Sequence, residues 1–145
     1  MIRIICLGKI KEAYLNDAIN DYLKRISKYH KIEIIELKDD DNILKEQEEV
    51  LKYLNTKDYN IALDIQGEKV SSPDLARIID QTFCSYGHIN FIIGSSNGLT
   101  ESVKAKCQKQ ISFGNITMPH GIFRVVLLEQ IYRAFKINNN ESYHK

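Results

Sequence analysis

The sequence lacks the features that would place it among secreted, membrane or metal-binding proteins. It has only three cysteines and four histidines, and neither type is grouped at a metal-ligand or redox spacing. No apolar run is long enough to span a bilayer, and the apolar start of the chain is followed at once by Gly8 and Lys9, unlike a signal peptide. We therefore expect no metal site and no membrane association, and a reduced, cytoplasmic protein is the simplest expectation.

The sequence also has little net charge, no internal repeat and no low-complexity segment. Twenty Lys and Arg residues stand against nineteen Asp and Glu residues, a formal net charge of +1. A protein that holds nucleic acid by counterion release alone is usually more basic, so the balance argues neither for nor against RNA. A length of 145 residues predicts one domain, residues 1–145, able to bury its own core.

Strand-like and helix-like patterns alternate along the whole chain. This alternation predicts an α/β fold with a mostly parallel sheet and helices on both faces. Residues 71–74, Ser-Ser-Pro-Asp, are typical of a helix start, whereas residues 66–69, Gln-Gly-Glu-Lys, are expected to form a turn. The predicted strands are 2–7, 31–37, 59–65, 88–93 and one from Ile111; the predicted helices are 11–28, 43–55, 71–87, a short one capped by Thr100, and 121–136.

The last predicted helix carries one charge on its apolar side. At about 100° per residue, Arg124 falls among four apolar residues, which are Leu127, Leu128, Ile131 and Phe135. A guanidinium there needs an anion, a carbonyl cluster or a neighbouring chain, unless it extends past the helix end into water. Both alternatives stay open from the sequence.

The other residues of this helix predict which of its sides face water and which are buried. Four polar residues form a side that we expect to be solvated: Glu129, Gln130, Arg133 and Lys136. Further apolar residues, Ile122, Val125 and Val126, make the helix apolar over more of its circumference than one core contact requires, which favours burial against a second subunit.

A glycine-bracketed loop follows the strand that ends at Ile93. Its sequence, Gly94-Ser95-Ser96-Asn97-Gly98, matches a nucleophile elbow with Ser96 as the nucleophile, which would indicate a serine hydrolase. The same loop could be a cradle of backbone amides for a nucleotide-like ligand, or a plain strand-to-helix turn. A Rossmann fingerprint is absent, because no further glycine follows Gly8 at the required positions.

Two other segments are candidates for chemistry. In residues 117–120, Thr-Met-Pro-His, the proline makes the strand end rigid and places His120 at the first helical turn, where it could serve acid-base chemistry or simply begin the helix. The chain ends in Tyr143, His144 and Lys145, an aromatic ring, an imidazole and a cation that suit stacking on a base and contact with phosphate. Such a tail could equally be a frayed end.

Together these segments resemble the RlmH family, small SPOUT-class methyltransferases that modify a pseudouridine in helix 69 of bacterial large-subunit ribosomal RNA. The resemblance covers essentially the whole chain. It is carried by Ile65-Gln66-Gly67 with Ser71-Ser72, by the loop from Ile93 to Gly98, by Met118-Pro119-His120 with the block from Arg124 to Ala134, and by the terminal Tyr143-His144.

The resemblance implies a fold and a cofactor. It implies a parallel sheet whose C-terminal segment forms a trefoil knot, an obligate homodimer, and S-adenosylmethionine bound in the knot largely by backbone groups. The chain departs from the family at Ser95, where a second glycine is common, and the added side chain is expected to affect the loop geometry. The cofactor-binding residues implied are Leu63, Gly94, Phe113, Gly114, Asn115, Ile116, Thr117 and Met118.

The resemblance further implies methyl transfer to N3 of the pseudouridine, in the context of the assembled ribosome. By this analogy His144 is the candidate base, Tyr143 positions the nucleobase, and Arg124 stabilises the developing anion or holds phosphate. Two other classes remain open from the residues alone, a serine hydrolase using Ser96 and a non-catalytic ribosome-binding factor.

Overall fold

Five parallel strands form a single sheet in the order β2-β1-β4-β3-β5 in the computed structural model, which describes all 145 residues. The strands are β1 Ile2–Leu7, β2 Ile32–Leu37, β3 Tyr59–Lys69, β4 Ile89–Ile93 and β5 Lys109–Ser112. The helices are α1 Ala13–Ser27, α2 Ile43–Leu51, α3 Ser72–Phe83, α4 Glu101–Ala105 and α5 His120–Asn138. The predicted alternation and parallel sheet are confirmed, although α2 and α3 each end about four residues earlier than predicted.

The sheet separates two hydrophobic cores. Along β1, Ile4 and Cys6 belong to the larger core under α1, α3 and α5, whereas Ile5 and Leu7 belong to the smaller core under α2 and α4. All five residues of β4 are buried. Strands covered on both faces carry continuous apolar runs rather than an alternating pattern, which explains the composition of β1 and β4.

The start of α3 is fixed by local hydrogen bonds, as the sequence predicted. The Ser71 hydroxyl accepts from the Asp74 backbone N–H at 3.1 Å, and the Asp74 carboxylate accepts from the Ser71 backbone N–H at 2.9 Å. This is a capping box, with Pro73 in the first turn. The Ser71 N–H, together with Arg77 and the Ser71 hydroxyl, lowers the pKa of Asp74 to about 2.

The predicted turn at residues 66–69 is wrong, because β3 continues through it to Lys69. The register shifts after Leu63, and Glu68 and Lys69 then pair with Ile111 and with the residue after it on β5. Gly67 permits this pairing, since a Cβ added there would lie 2.7 Å from the Gln110 carbonyl carbon. The glycine that suggested a turn instead allows a close approach of two strands.

Helix α5 lies between α1 and α3, so the chain returns from the edge strand β5 to the middle of a helical layer. Its predicted apolar side is confirmed as buried: Leu127, Leu128, Ile131 and Phe135 are each at most 8% exposed. Much of the apolar circumference of α5 is therefore covered within this chain. The trefoil knot stays a prediction from the resemblance.

The charge on that apolar side, Arg124, has partners within its own chain. Its side chain is 3% exposed, one terminal nitrogen lies 2.6 Å from the Glu36 carboxylate, and the other donates to the Gly8 carbonyl at 3.1 Å. The alternative in which the guanidinium extends into water is therefore wrong. The ion pair with Glu36 holds α5 against the end of β2, and the hydrogen bond to Gly8 holds it against the end of β1.

None of the five helices combines the length and the apolarity that crossing a membrane requires.

The close approach at Gly67 predicts a large difference between two glycine-to-alanine variants. Gly67→Ala should lower the free energy of unfolding by about 1–3 kcal/mol, because the methyl group overlaps backbone that has no room to move. Gly87→Ala is the matched control, since nothing lies within 4 Å of the added carbon. Urea unfolding followed by circular dichroism measures both, and equal stabilities would contradict the assigned strand pairing.

Candidate functional site

A cavity of about 370 Å³ opens where β3, β4 and β5 reach the carboxyl edge of the sheet. This is the edge at which open α/β sheets bind ligands. Seven of the eight cofactor-binding residues implied by the resemblance line the cavity, and Asn115 is the one that does not. The seven are Leu63, Gly94, Phe113, Gly114, Ile116, Thr117 and Met118.

The glycine loop after β4 forms one wall of the cavity as a tight turn. The Gly98 N–H donates to the Ser95 carbonyl at 2.9 Å. A Cβ on Gly94 would lie 2.8 Å from the Gly98 carbonyl carbon, and Gly98 itself has a φ of +73°. Both glycines are therefore required by the turn, the first by space and the second by conformation.

Two buried polar residues of α2 hold this loop in place. The Glu46 carboxylate accepts from the Ser95 hydroxyl at 2.5 Å. The Gln47 side chain accepts from the Thr100 N–H at 2.9 Å and donates to the Gly98 carbonyl at 3.5 Å. Glu46 and Gln47 are only 1% and 2% exposed. The hydroxyl of Ser95, at the position where the resemblance led us to expect a glycine, thus anchors the loop to α2.

Sequence reasoning missed these anchors, although a signal was present. Glu46 and Gln47 share a helix face with the apolar Ile43 and Val50, at the spacing i, i+3, i+4 and i+7. Polar residues on an apolar face need partners, and the glycine loop supplies them. From the sequence we predict only a helix over residues 43–55 in this part of the chain.

The loop after β5 forms the opposite wall. The Ser112 hydroxyl accepts from the Gly114 N–H at 3.1 Å, and Gly114 has a φ of +121°. The ring of Phe113 packs against that of Phe123 on α5, with centroids 5.6 Å apart. His120, the first residue of α5, also lines the cavity. The wall therefore combines backbone polar groups with two aromatic rings.

One charged pair lies beside the cavity. Asp64 lines it, and the Lys104 ammonium forms an ion pair with the Asp64 carboxylate. Burial acts to raise the pKa of Asp64, but hydrogen bonds from Lys104 and the Gln66 N–H outweigh it and leave that pKa below its ordinary value. The cavity wall thus keeps a carboxylate that is ionised at neutral pH.

These features fit S-adenosylmethionine. The volume lies within the range of small-molecule sites. Apolar side chains suit the faces of an adenine, and the two loops offer backbone groups to its edges. No three His, Cys, Asp or Glu side chains are grouped where they could share a metal ion.

The serine-hydrolase geometry is not present. In a nucleophile elbow a helix follows the serine directly, whereas here α4 begins only at Glu101. The side-chain hydrogen bonds of the loop are made by Ser95 rather than by Ser96. The predicted nucleophile therefore has no acid-base partner.

The C-terminal tail forms a second cluster, packed against α5. The Tyr143 hydroxyl donates to the Glu129 carboxylate at 3.1 Å, and its ring meets that of Tyr132 edge-on at 5.0 Å. The Arg133 guanidinium lies 4.8 Å from the centre of the Tyr143 ring, and one of its nitrogens lies 3.2 Å from Nδ1 of His144. The tail is therefore ordered rather than frayed.

This packing corrects the expectation of a solvated side on α5. The Glu129 and Arg133 side chains are only 18% and 24% exposed, because the tail covers them. Burial and the hydrogen bond to Glu129 raise the pKa of Tyr143.

The cavity and the tail are separate within one chain. Phe123 is the last cavity-lining residue on α5, and Arg133 follows ten residues later, about 15 Å along the helix axis. Tyr143 and His144 thus do not reach the cavity of their own chain. Arg124 belongs to neither group, since Glu36 and Gly8 hold it.

Comparison with known proteins identifies the family of this chain. A family model described as "Predicted SPOUT methyltransferase" matches residues 1–144. A protein of Oenococcus oeni named ribosomal RNA large subunit methyltransferase H is 45% identical, over 99% of this chain and 98% of its own length. Proteins of the same name from Streptococcus uberis and Caldicellulosiruptor saccharolyticus are 44% and 40% identical, each over at least 99% of both chains.

A solved structure of another protein has a similar fold. It is described as a probable methylase family protein from Haemophilus influenzae Rd KW20, and it matches with a TM-score of 0.56 at 11% identity, over 96% of this chain and 66% of that one. Because the family model covers nearly every residue and the relatives match over their full length, the chain belongs to the SPOUT methyltransferases and, among them, to the RlmH family.

Proposed function

We propose that this protein is an S-adenosylmethionine-dependent methyltransferase of large-subunit ribosomal RNA, acting on N3 of a pseudouridine in helix 69. The observation that carries the proposal is the cavity at the carboxyl edge of the sheet, which brings together the glycine loop and the loop of residues 113–118. The names of the full-length relatives support the class of substrate.

The residues of the two loops would hold the cofactor in this cavity. Backbone groups at Gly94 and in the loop of residues 113–118 would bind the polar edges of the adenosine, and Leu63 and Phe113 would contact its faces. When bound, S-adenosylmethionine supplies the methyl group from its sulfonium. The hydrogen bonds from the loop to Glu46 and Gln47 hold the glycine loop in one conformation before the cofactor binds. The loop therefore loses less conformational entropy on binding.

The C-terminal tail would act on the nucleobase. N3 of the pseudouridine carries a proton at neutral pH and becomes nucleophilic only when that proton leaves, so a base or a group that stabilises the resulting anion is required. Tyr143 would position the ring, and His144 would act on the proton or on the charge. Arg124 is held by Glu36, so we assign it to fixing α5 instead of to the anion or a phosphate.

A complete site then requires two copies of the chain. Because the tail lies about 15 Å along α5 from the cavity, the tail of a partner would have to supply Tyr143 and His144. Exposed apolar side chains near the cavity support such an interface, since Ile65, Ile116 and Ile122 are 46%, 80% and 43% exposed. A two-fold dimer of this kind contains two identical composite sites.

The assembled ribosome is the proposed substrate. A chain with a net charge of +1 has little general attraction for free RNA, so recognition would depend on the shape of a folded surface.

The first prediction concerns the cofactor. Titration calorimetry should show S-adenosylmethionine binding to the wild-type protein. Gly94→Ala should weaken this binding by at least about tenfold, because its methyl group overlaps the Gly98 backbone. Gly87→Ala should bind like the wild type. If the wild-type protein does not bind the cofactor, it is not a methyltransferase of this kind. A protein that binds ribosomes but not S-adenosylmethionine would instead be a non-catalytic factor.

The second prediction concerns the composite site. At a limiting cofactor concentration, His144→Ala and Gly94→Ala should each have less than about a tenth of wild-type activity alone, because the first lacks the tail imidazole and the second binds the cofactor about tenfold more weakly. An equal mixture that is unfolded and refolded together should recover about a quarter of wild-type activity. This fraction follows because half of the dimers are mixed and each mixed dimer contains one intact site. A mixture as inactive as its parents would show that tail and cavity act within one chain.

The third prediction concerns the substrate. Methyl incorporation measured side by side should be at least about tenfold faster on whole ribosomes than on deproteinised ribosomal RNA at the same salt concentration. Equal rates would contradict recognition of the assembled surface.

A further inference from the structure

Arg133 forms an ion pair with Glu129 on α5 and also contacts the imidazole of His144 in the C-terminal tail. We infer that Arg133 fixes His144 as the tautomer protonated at Nε2, so that His144 acts on the target nucleobase as a hydrogen-bond donor and not as the general base. The inference rests on the proposed function, because it specifies how the C-terminal tail acts on the ring.

The tautomer follows from the chemistry of arginine. A guanidinium nitrogen of Arg133 lies 3.2 Å from Nδ1 of His144. Arginine has five N–H donors, no acceptor, and stays protonated in proteins. Nδ1 must therefore accept this hydrogen bond, and the single proton of the neutral ring is left on Nε2.

Arg133 is itself held firmly in place. Its Nε and one terminal nitrogen donate to the Glu129 carboxylate at 3.1 and 2.7 Å, and its guanidinium lies over the Tyr143 ring. The hydrogen bonds that Arg133 donates to Glu129 raise the pKa of its guanidinium above the ordinary value. The remaining terminal nitrogen is the one that faces His144. Glu129 and Arg133 are thus positioning residues that act through the imidazole.

Tyr143 is not an alternative base. Its hydroxyl donates to Glu129, and both its burial and that carboxylate raise its pKa, so the phenol stays protonated at neutral pH. The hydrogen bonds within the cluster thus occupy Nδ1 of His144 and the Tyr143 hydroxyl. The free polar group of the His144 ring is its Nε2–H, on a side chain that is exposed.

A donor at this position suits the proton chemistry of N3. N3 of a uracil ring lies between two carbonyl groups. When N3 loses its proton to solvent water, the electron pair of the broken N–H bond is shared with the two carbonyl oxygens. A hydrogen bond from Nε2 to either oxygen stabilises this anion, as an oxyanion-hole donor does. Water takes the proton, so no side chain of the protein has to serve as the base.

The tautomer can be tested without cofactor or RNA. In protein labelled with ¹⁵N-histidine, at a pH where the ring is neutral, long-range ¹H–¹⁵N spectra should show His144 protonated at Nε2, with an Nδ1 shift typical of a hydrogen-bonded acceptor. Arg133→Met should move the Nδ1 resonance of His144 and leave His30 and His88 unchanged. Arg77→Met, which removes a surface arginine on α3, is the control and should move none of them. A proton on Nδ1, or an unchanged His144 spectrum in Arg133→Met, would overturn the assignment.

The role in the reaction is tested by comparing two substitutions of His144 on whole ribosomes. His144→Ala should lower kcat by about 100-fold or more, the usual cost of removing a donor to a developing anion. His144→Gln, whose amide can donate but cannot take a proton, should stay within about tenfold of the wild type, whereas a general base predicts that both variants lose activity alike.

The role of Arg133 is tested by a double variant. Arg133→Met should lower kcat when His144 is present and have no further effect in His144→Ala. Equal losses in the alanine and glutamine variants, or additive losses in the double variant, would overturn the donor role.

These outcomes are separate from the proposed function. Cofactor binding by calorimetry and methyl incorporation by the wild type test whether the protein is a methyltransferase, whereas the histidine spectra and the glutamine variant test how its tail acts.

Discussion

The insertion of α5 between α1 and α3 is the constraint on which the rest of this structure depends. Its first turn contributes His120 and Phe123 to the cavity at the carboxyl edge of the sheet, and its last half carries the cluster that holds the C-terminal tail. Because one rigid helix connects both, the distance between cavity and tail is set by its length. Burial of its apolar side and the ion pair between Arg124 and Glu36 hold it in this position.

Polar groups buried beside the cavity make the glycine loop rigid. Glu46 and Gln47 lose their contact with water, and each regains hydrogen bonds from the loop after β4. A buried polar group without a hydrogen-bond partner lowers the stability of the fold. The conformation of the loop and the packing of α2 on the sheet therefore stabilise each other. A catalytic site that orders a small cofactor benefits from this preorganisation, because less conformational entropy is lost on binding.

The tail shows how a short terminal segment can be ordered. Tyr143 packs on Tyr132 and under Arg133, and Glu129 accepts hydrogen bonds from both Tyr143 and Arg133. The same contacts that order the segment also direct the His144 ring. In the function we propose, cofactor binding and nucleobase chemistry thus depend on two separate clusters that meet only when two copies of the chain associate.

The sequence by itself determined the order and type of the elements and a part of the cavity wall. Local patterns sufficed for the parallel strands, for the capping box at Ser71 and for the buried side of α5, because each depends on neighbouring residues. The resemblance to a family located seven residues of the cavity wall. Tertiary structure decided what depends on distant partners: that Gly67 allows strand pairing with β5, that Glu46 anchors the glycine loop, and that Glu36 neutralises Arg124. These partners lie 43, 49 and 88 positions apart along the chain, and no local pattern of residues encodes contacts of that range.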